Sequence, residues 1–450
     1  MSRLRIFSAD KPLSGSVPVP SDKSIGHRAL IFGALAHGTS RIQGFSYGED
    51  NVATLNAFRA MGVSFDDDSR GTLLCHGVGL NGLDAPNQPI DCGNSGTSMR
   101  LLSGILAAQP FASTLIGDAS LSRRPMARIA KPLNARGADI SGQPHPSKAD
   151  DLTAPLHIAG LAKGERLEPM EYAMTIASAQ VKSALLLSGL YASGPTAISE
   201  PLVSRDHTER MLEALRLPVE TIGTLVRLHP PADPECIEAF EINVPGDVSA
   251  AAFILAAGLL VEGSTVSVRD TGLNPTRTGF LDIIKQFYGS LRVQPHGSTL
   301  GEGFGLVSAG FGQLRATGIG GEIATRAIDE IPIACALAAR ASGTTRFADV
   351  AELRVKESDR IAEMVKVLRA FGVSAEETED GMLVEGQPEG PLKAAVVQSE
   401  GDHRIAMTAA VLGLVARGET LVEDADCIGT SFPRFVGTLR ALGAKIEVES

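Results

Sequence analysis

Tryptophan is absent from this chain, and aromatic residues make up only 4% of its 450 positions. A core of that size has to be filled by aliphatic side chains. Cysteine is also scarce. Cys75, Cys92, Cys236, Cys335 and Cys427 are scattered, odd in number and form no CxxC pair. That gives no zinc signature and fits a reducing compartment. The opening segment MSRLRIFSAD lacks the apolar core of a secretion signal. The longest apolar run, Ala250 to Val261, is too short to span a bilayer. A soluble cytoplasmic protein is expected.

Positive charge is in deficit, with a formal net charge of -11, which argues against nucleic acid as the main partner. Anionic small molecules remain open, because a site needs only local positive charge. The glycine-rich segments match neither GxGxxG after a strand nor the Walker pattern, so no nucleotide is implied.

What the chain does have is glycine, 48 residues of it, and a repeat. Six Ala/Leu-rich segments follow polar loops: SIGHRALIFGALAHG, TSMRLLSGILAAQ, AQVKSALLLSGLYASG, VSAAAFILAAGLLVEG, EIPIACALAARASG and HRIAMTAAVLGLVARG. Each is apolar almost all round and reads as a buried helix. Most then pass through Gly into a short β-branched strand; the second copy ends at Gln109-Pro110 instead. An amphipathic helix follows in each copy. Gly62, Gly137, Gly289, Gly372 and Gly443 mark the ends of five of these, where left-handed backbone is needed, and Leu217-Pro218 stops the remaining one. The spacing is about 76 residues, so six units account for about the whole chain. A boundary between units three and four falls at Glu235 to Val244, after the turn-rich HPPADPEC. The competing architecture is a long solenoid, but no capping copies are evident.

Charge gathers in the polar loops before the buried helices. Ser21, Asp22, Lys23, Ser24 and Arg28 stand in the first, and Asn94, Ser95, Gly96 and Thr97 in the second. Ser178, Gln180 and Lys182 stand in the third, Asp329-Glu330 in the fifth and Asp402-His403-Arg404 in the sixth. Helix N-termini bring free N–H groups and positive dipole ends, so such starts can hold anions. A second set of cations opens the amphipathic helices: Arg123-Arg124, Arg205, Arg354, Lys356 and Arg360. Arg forks suit carboxylates and phosphates. Each feature also has a plainer reading: N-caps for SDKS and GNSGTS, exposed ion pairs for Lys356-Glu357 and Arg360, a structural ion pair for Asp402-His403-Arg404. His207 has no partner at triad or metal spacing.

Ten segments in order, SDKSIGHR, GNSGTSMR, GDASLSRRPM, ASAQVKSALLL, SRDHTE, PGDVSAAAF, NPTRTG, IDEIP, LRVKESDRI and DHRIAM, run nearly end to end. In them the chain resembles the 5-enolpyruvylshikimate-3-phosphate synthases, a branch of the enolpyruvyl transferases. The resemblance implies a two-domain inside-out α/β barrel of six βαβαββ repeats, three per domain. Residues 21–243 would form one domain and 1–20 plus 244–450 the other, hinged near 20 and 243 at a cleft, with the N-terminal strands closing the second domain.

The implied reaction joins phosphoenolpyruvate to shikimate 3-phosphate and releases phosphate, with no metal or other cofactor, in a monomer. By matching motifs, Lys23, Ser24, Arg28, Ser178, Ala179, Gln180, Arg205, Asp329 and Lys356 would bind shikimate 3-phosphate. Lys23, Gly96, Arg124, Gln180, Arg360 and Arg404 would bind phosphoenolpyruvate, with Asn94 and Thr97 shaping the loop. Asp329 would take the hydroxyl proton, and Glu357 with Lys23 would handle the proton at C3, which for Glu357 requires a raised pKa. Two departures stand out: Ala179 where many relatives have Ser, and Thr430 where others have Lys. Gly96 is the small residue of enzymes open to glyphosate. The nearest rival is the UDP-N-acetylglucosamine enolpyruvyl transferase of the same fold, which uses a Cys in the loop that here reads GDASLSRRPM. An RNA-terminal phosphate cyclase and a non-catalytic repeat scaffold are more distant alternatives.

Overall fold

The computed structural model describes residues 2–68, 71–162, 164–233 and 237–449. Cys236, and Glu235 at the start of the expected boundary, lie outside them. The chain divides into two compact units. One comprises Ser21–Val244 with Ser298–Glu302, here the first unit; the second comprises Met1–Pro20, Pro245–Gly297 and Gly303–Ser450.

All six Ala/Leu-rich segments are helices: Lys23–Ala34, Gly96–Leu106 and Ala179–Gly189 in the first unit, Val248–Leu260, Ile331–Arg340 and His403–Gly413 in the second. Their apolarity on every face has a direct cause, since all residues of Val248–Leu260 are buried. In the second unit the three helices pack against one another. In the first, Gly96–Leu106 packs against Lys23–Ala34 and, most closely, against Ala179–Gly189. That closeness depends on Gly104, where a Cβ would stand 2.1 Å from the carbonyl oxygen of Ala184.

Among the described residues each unit carries three four-stranded sheets, with one further two-stranded pair in the second. Every repeat uses the same order. In each sheet an edge strand runs parallel to the strand after the buried helix, which pairs antiparallel with a further strand; in the second, third, fifth and sixth repeats that edge strand precedes the buried helix within the repeat. In the second repeat Ile90–Asp91 lies beside Ser113–Ile116, which pairs with Leu152–Ile158 and through it with Ile140–Pro144. The strand missing from the sequence pattern of that copy is therefore present, beyond Gln109-Pro110.

The repeats close by exchange of chain ends. Ser14–Val17 supplies the parallel edge of the fourth sheet, with Val17 opposite Val268. Arg3–Phe7 lies between Glu419–Glu423 and Ile446–Glu449 in the sixth. Glu241–Asn243 returns to pair with His37–Gln43 of the first repeat, Ile242 opposite Ile42.

At the ends of the amphipathic helices Gly62, Gly137, Gly372 and Gly443 have φ of 89°, 99°, 84° and 108°. Gly289 does not: the left-handed residue there is Tyr288, φ 60°, and in the third repeat it is Arg216, φ 61°. Gly289 is needed for space instead, because a Cβ would meet Ile284 Cγ2 at 2.7 Å.

Candidate active site

The polar loops do cap their helices. Asp22 Oδ1 accepts from the Ile25 N–H at 2.9 Å, Ser95 Oγ from Ser98 at 3.1 Å, and Asp402 Oδ1 from Arg404 at 2.9 Å.

In the first unit, Lys23 Nζ lies 2.8 Å from Asp50 Oδ2, half-exposed. Burial pushes the Asp50 carboxyl up, but Lys23, with His27 and Arg124, outweighs this and holds it below its ordinary value. Arg28 is buried. Its guanidinium donates to Thr208 Oγ1 (2.7 Å), Ser183 Oγ (2.7 Å) and the Ser24 carbonyl (3.0 Å), and burial lowers its pKa to about 10.

A second group forms around Gly96. Arg124 Nη2 donates to Asn94 Oδ1 at 2.5 Å, and Asn94 Nδ2 to Asp118 Oδ2 at 2.6 Å. Arg100 Nη1 donates to Gln180 Oε1 at 2.6 Å, and Gln180 Nε2 to Thr97 Oγ1 at 3.0 Å. A Cβ on Gly96 would lie 2.7 Å from Arg100 Nη1 and 3.2 Å from Arg124 Nη1. Gly96 is thus the floor between two guanidinium groups. Arg100 and Asp50 were not singled out from sequence. Arg100 follows Gly96 by one helical turn, a spacing that places both on one face; nothing in the sequence ties Asp50 to Lys23.

Ser178 caps Ala179–Gly189 and Ala179 opens it. Arg205 is half-buried just before the helix His207–Ala214. Lys182, counted among the loop cations from sequence, is turned inward: it is buried between Glu200 (2.6 Å) and Glu209 (2.7 Å). His207, without a partner at short spacing, pairs with Glu302 at 2.7 Å, both buried.

In the second unit the predicted residues converge. Asp329 Oδ1 lies 3.7 Å from Lys356 Nζ and 3.6 Å from Arg360 Nη1, and the Asp329 carbonyl accepts from Arg404 Nη1 at 2.7 Å. Lys356 also reaches Glu352 at 2.8 Å. Arg360, buried, donates to Asp402 through Nε (2.8 Å) and Nη2 (3.3 Å), and to Glu357 Oε2 at 2.6 Å. Asp402 therefore pairs with Arg360, not with the adjacent Arg404. Burial opposes the charge of Arg360, but Glu357 and Asp402 outweigh it and raise its pKa. Burial alone would raise Glu357; Arg360 and His403 hold it below its ordinary value. That direction is opposite to the rise that proton donation by Glu357 would require. Burial, with Arg404 beside it, lowers His403 to about 3. Arg354 is spent on Asp359 and Glu377. Thr430 donates to the Cys427 carbonyl at 2.7 Å. Among the described residues no cluster of three His, Cys, Asp or Glu could hold a metal ion, and no helix is long and apolar enough to cross a membrane.

Two units of three βαβαββ repeats, with cations and carboxylates at the helix starts, define the enolpyruvyl transferase class of α/β enzyme. The fold superposes on an EPSP synthase from Acinetobacter baumannii with a TM-score of 0.90 over the whole of both chains, at 41% identity. The sequence matches the EPSP synthase (3-phosphoshikimate 1-carboxyvinyltransferase) family over residues 7–439. It is 48% identical to the 3-phosphoshikimate 1-carboxyvinyltransferase of Citrifermentans bemidjiense, covering 96% of this chain and 97% of that one. It is 47% identical to that of Geobacter metallireducens, covering 97% and 98%. The chain belongs to the EPSP synthase family.

Proposed function

We propose that this enzyme transfers the enolpyruvyl group of phosphoenolpyruvate to the 5-hydroxyl of shikimate 3-phosphate. Phosphate is released and 5-enolpyruvylshikimate 3-phosphate is formed, a step of aromatic amino-acid biosynthesis. The observation that carries the assignment of residues is Asp329, whose carboxylate faces Lys356 and Arg360 while its backbone carbonyl accepts from Arg404. Such a group can take a proton while its cations hold the anionic reactants.

In this reading Lys23, Ser24, Arg28, Ser178, Ala179, Gln180, Arg205 and Lys356 bind shikimate 3-phosphate. Lys23, Gly96, Arg124, Gln180, Arg360 and Arg404 bind phosphoenolpyruvate. The substrate hydroxyl oxygen attacks C2 as its proton passes to Asp329, and C3 gains a proton from the Lys23 ammonium. The tetrahedral intermediate then loses a proton from C3 and its C2–O bond to phosphate, restoring the enol. The depressed pKa of Glu357 suits it to accept that C3 proton, not to donate the first one. The domain division expected at 20 and 243, monomeric state and cytoplasmic location belong to the same reading.

Purified protein with both substrates and no added metal should release phosphate and yield the enolpyruvyl ether, read by phosphorus NMR. Turnover of UDP-N-acetylglucosamine with none of shikimate 3-phosphate would sink the assignment.

A further inference from the structure

The segments PGDVSAAAF and NPTRTG contribute no residue to the site above, yet their polar side chains meet beneath it. Asp247 caps the helix Val248–Leu260 by accepting from the Ser249 N–H at 2.8 Å. Arg277, buried, donates from Nη2 to Ser249 Oγ at 2.9 Å and reaches Asp247 Oδ1 at 3.3 Å. Ser249 Oγ in turn donates to Glu330 Oε1. Glu330 is fully buried, follows Asp329 directly, and precedes the helix Ile331–Arg340. Its Oε1 lies 4.0 Å from Arg404 Nη1, the nitrogen that also donates to the Asp329 carbonyl. Its Oε2 is buried with no hydrogen-bond partner among the described residues.

A carboxylate with one oxygen unsatisfied is a costly way to fill a core position. An apolar side chain of similar size would fill it without that cost. The charge is placed where it acts on one site residue, Arg404, and is itself oriented from behind by Ser249 and Arg277. We propose that Glu330 is a positioning residue: it holds the Arg404 guanidinium against the Asp329 backbone, so that Arg404 meets phosphoenolpyruvate already oriented. This rests on Arg404 being a phosphoenolpyruvate ligand. The attraction acts through the rear nitrogen of the fork and leaves the rest of Arg404 for the substrate.

The test is a double-mutant cycle with Glu330→Gln, which keeps the shape and an acceptor for Ser249, and Arg404→Lys. Glu330→Gln should raise the KM for phosphoenolpyruvate about tenfold, with the KM for shikimate 3-phosphate changed less than about twofold. The double variant should lose little more than Arg404→Lys alone, because the two side chains act as one. Ser249→Ala should raise the same KM about threefold through the loosened carboxylate, and it serves if Glu330→Gln does not fold. An unchanged KM for phosphoenolpyruvate in Glu330→Gln and Ser249→Ala, or fully additive effects, would overturn the inference while leaving Arg404 as a ligand. If Arg404→Lys also left that KM unchanged, the functional reading of Arg404 would fail, and the inference with it.

Discussion

Arg360 and Asp402 form a buried two-point ion pair, Nε to Oδ2 at 2.8 Å and Nη2 to Oδ1 at 3.3 Å, with side chains 1% and 0% exposed. The pair ties the start of Arg360–Ala370 to the cap of His403–Gly413. It leaves the third nitrogen, Nη1, directed to Asp329. Removing Asp402 would strand a buried guanidinium, so Asp402→Ala should cost about 3–5 kcal/mol in urea unfolding. A cost below about 1 kcal/mol would place the pair among exposed bridges.

Asp402 and Glu357 both sit below their ordinary carboxyl values. A carboxyl depressed in the folded state contributes stability above its unfolded pKa, and that contribution is lost as pH falls through the folded value. The wild-type protein should therefore lose stability as pH drops below about 4, and Asp402→Ala should show a shallower acid limb. His403 and His27 are both lowered to about 3. Neither titrates between pH 5 and 8, so their substitution should leave the shape of the kcat/KM profile unchanged over that range. A limb near pH 6.5 that vanishes in His403→Ala would refute this.

Lys23 and Lys182 separate function from stability. Lys23 shares a half-exposed pair with Asp50, and such pairs contribute about 0–1 kcal/mol. Lys182 is buried between two carboxylates. Lys23→Met should abolish most turnover with little change in melting. Lys182→Met should destabilise by several kcal/mol, about 3–5, because Glu200 and Glu209 are left together. Equal melting points for the two variants would contradict the burial argument.

Gly96→Ala would place a methyl group 2.7 Å from Arg100 Nη1 and 3.2 Å from Arg124 Nη1. Both are ends of flexible side chains and can shift, so the fold should persist. The space between the two guanidinium groups should not, and the KM for phosphoenolpyruvate is expected to rise about tenfold. An unchanged KM would remove Gly96 from that binding site.

The repeat was legible because its two periodicities are local: an all-apolar helix, then an amphipathic one ending at Gly. Its closure was not legible from spacing, because Arg3–Phe7 pairs with strands more than 400 residues away; only the family resemblance implied that the N-terminal strands close the second domain. Motif residues on one loop, such as Lys356, Glu357 and Arg360, were readable as a group. Partners drawn from other elements were not: Asp50 for Lys23 within one repeat, and Glu302 for His207 and Asp402 for Arg360 across repeats. Lys182 was misplaced because a helix buried all round has no polar face to show which way a lysine turns. Only the acids at positions 200 and 209 decide that it turns inward.

The most direct test of the proposed chemistry is Asp329→Asn, assayed for phosphate release with shikimate 3-phosphate and phosphoenolpyruvate beside the wild type. If Asp329 accepts the hydroxyl proton, kcat should fall by about 10² to 10⁴ while dissociation constants for both substrates change less than about threefold. A loss of binding as large as the loss of turnover would make Asp329 a binding residue only and contradict the account.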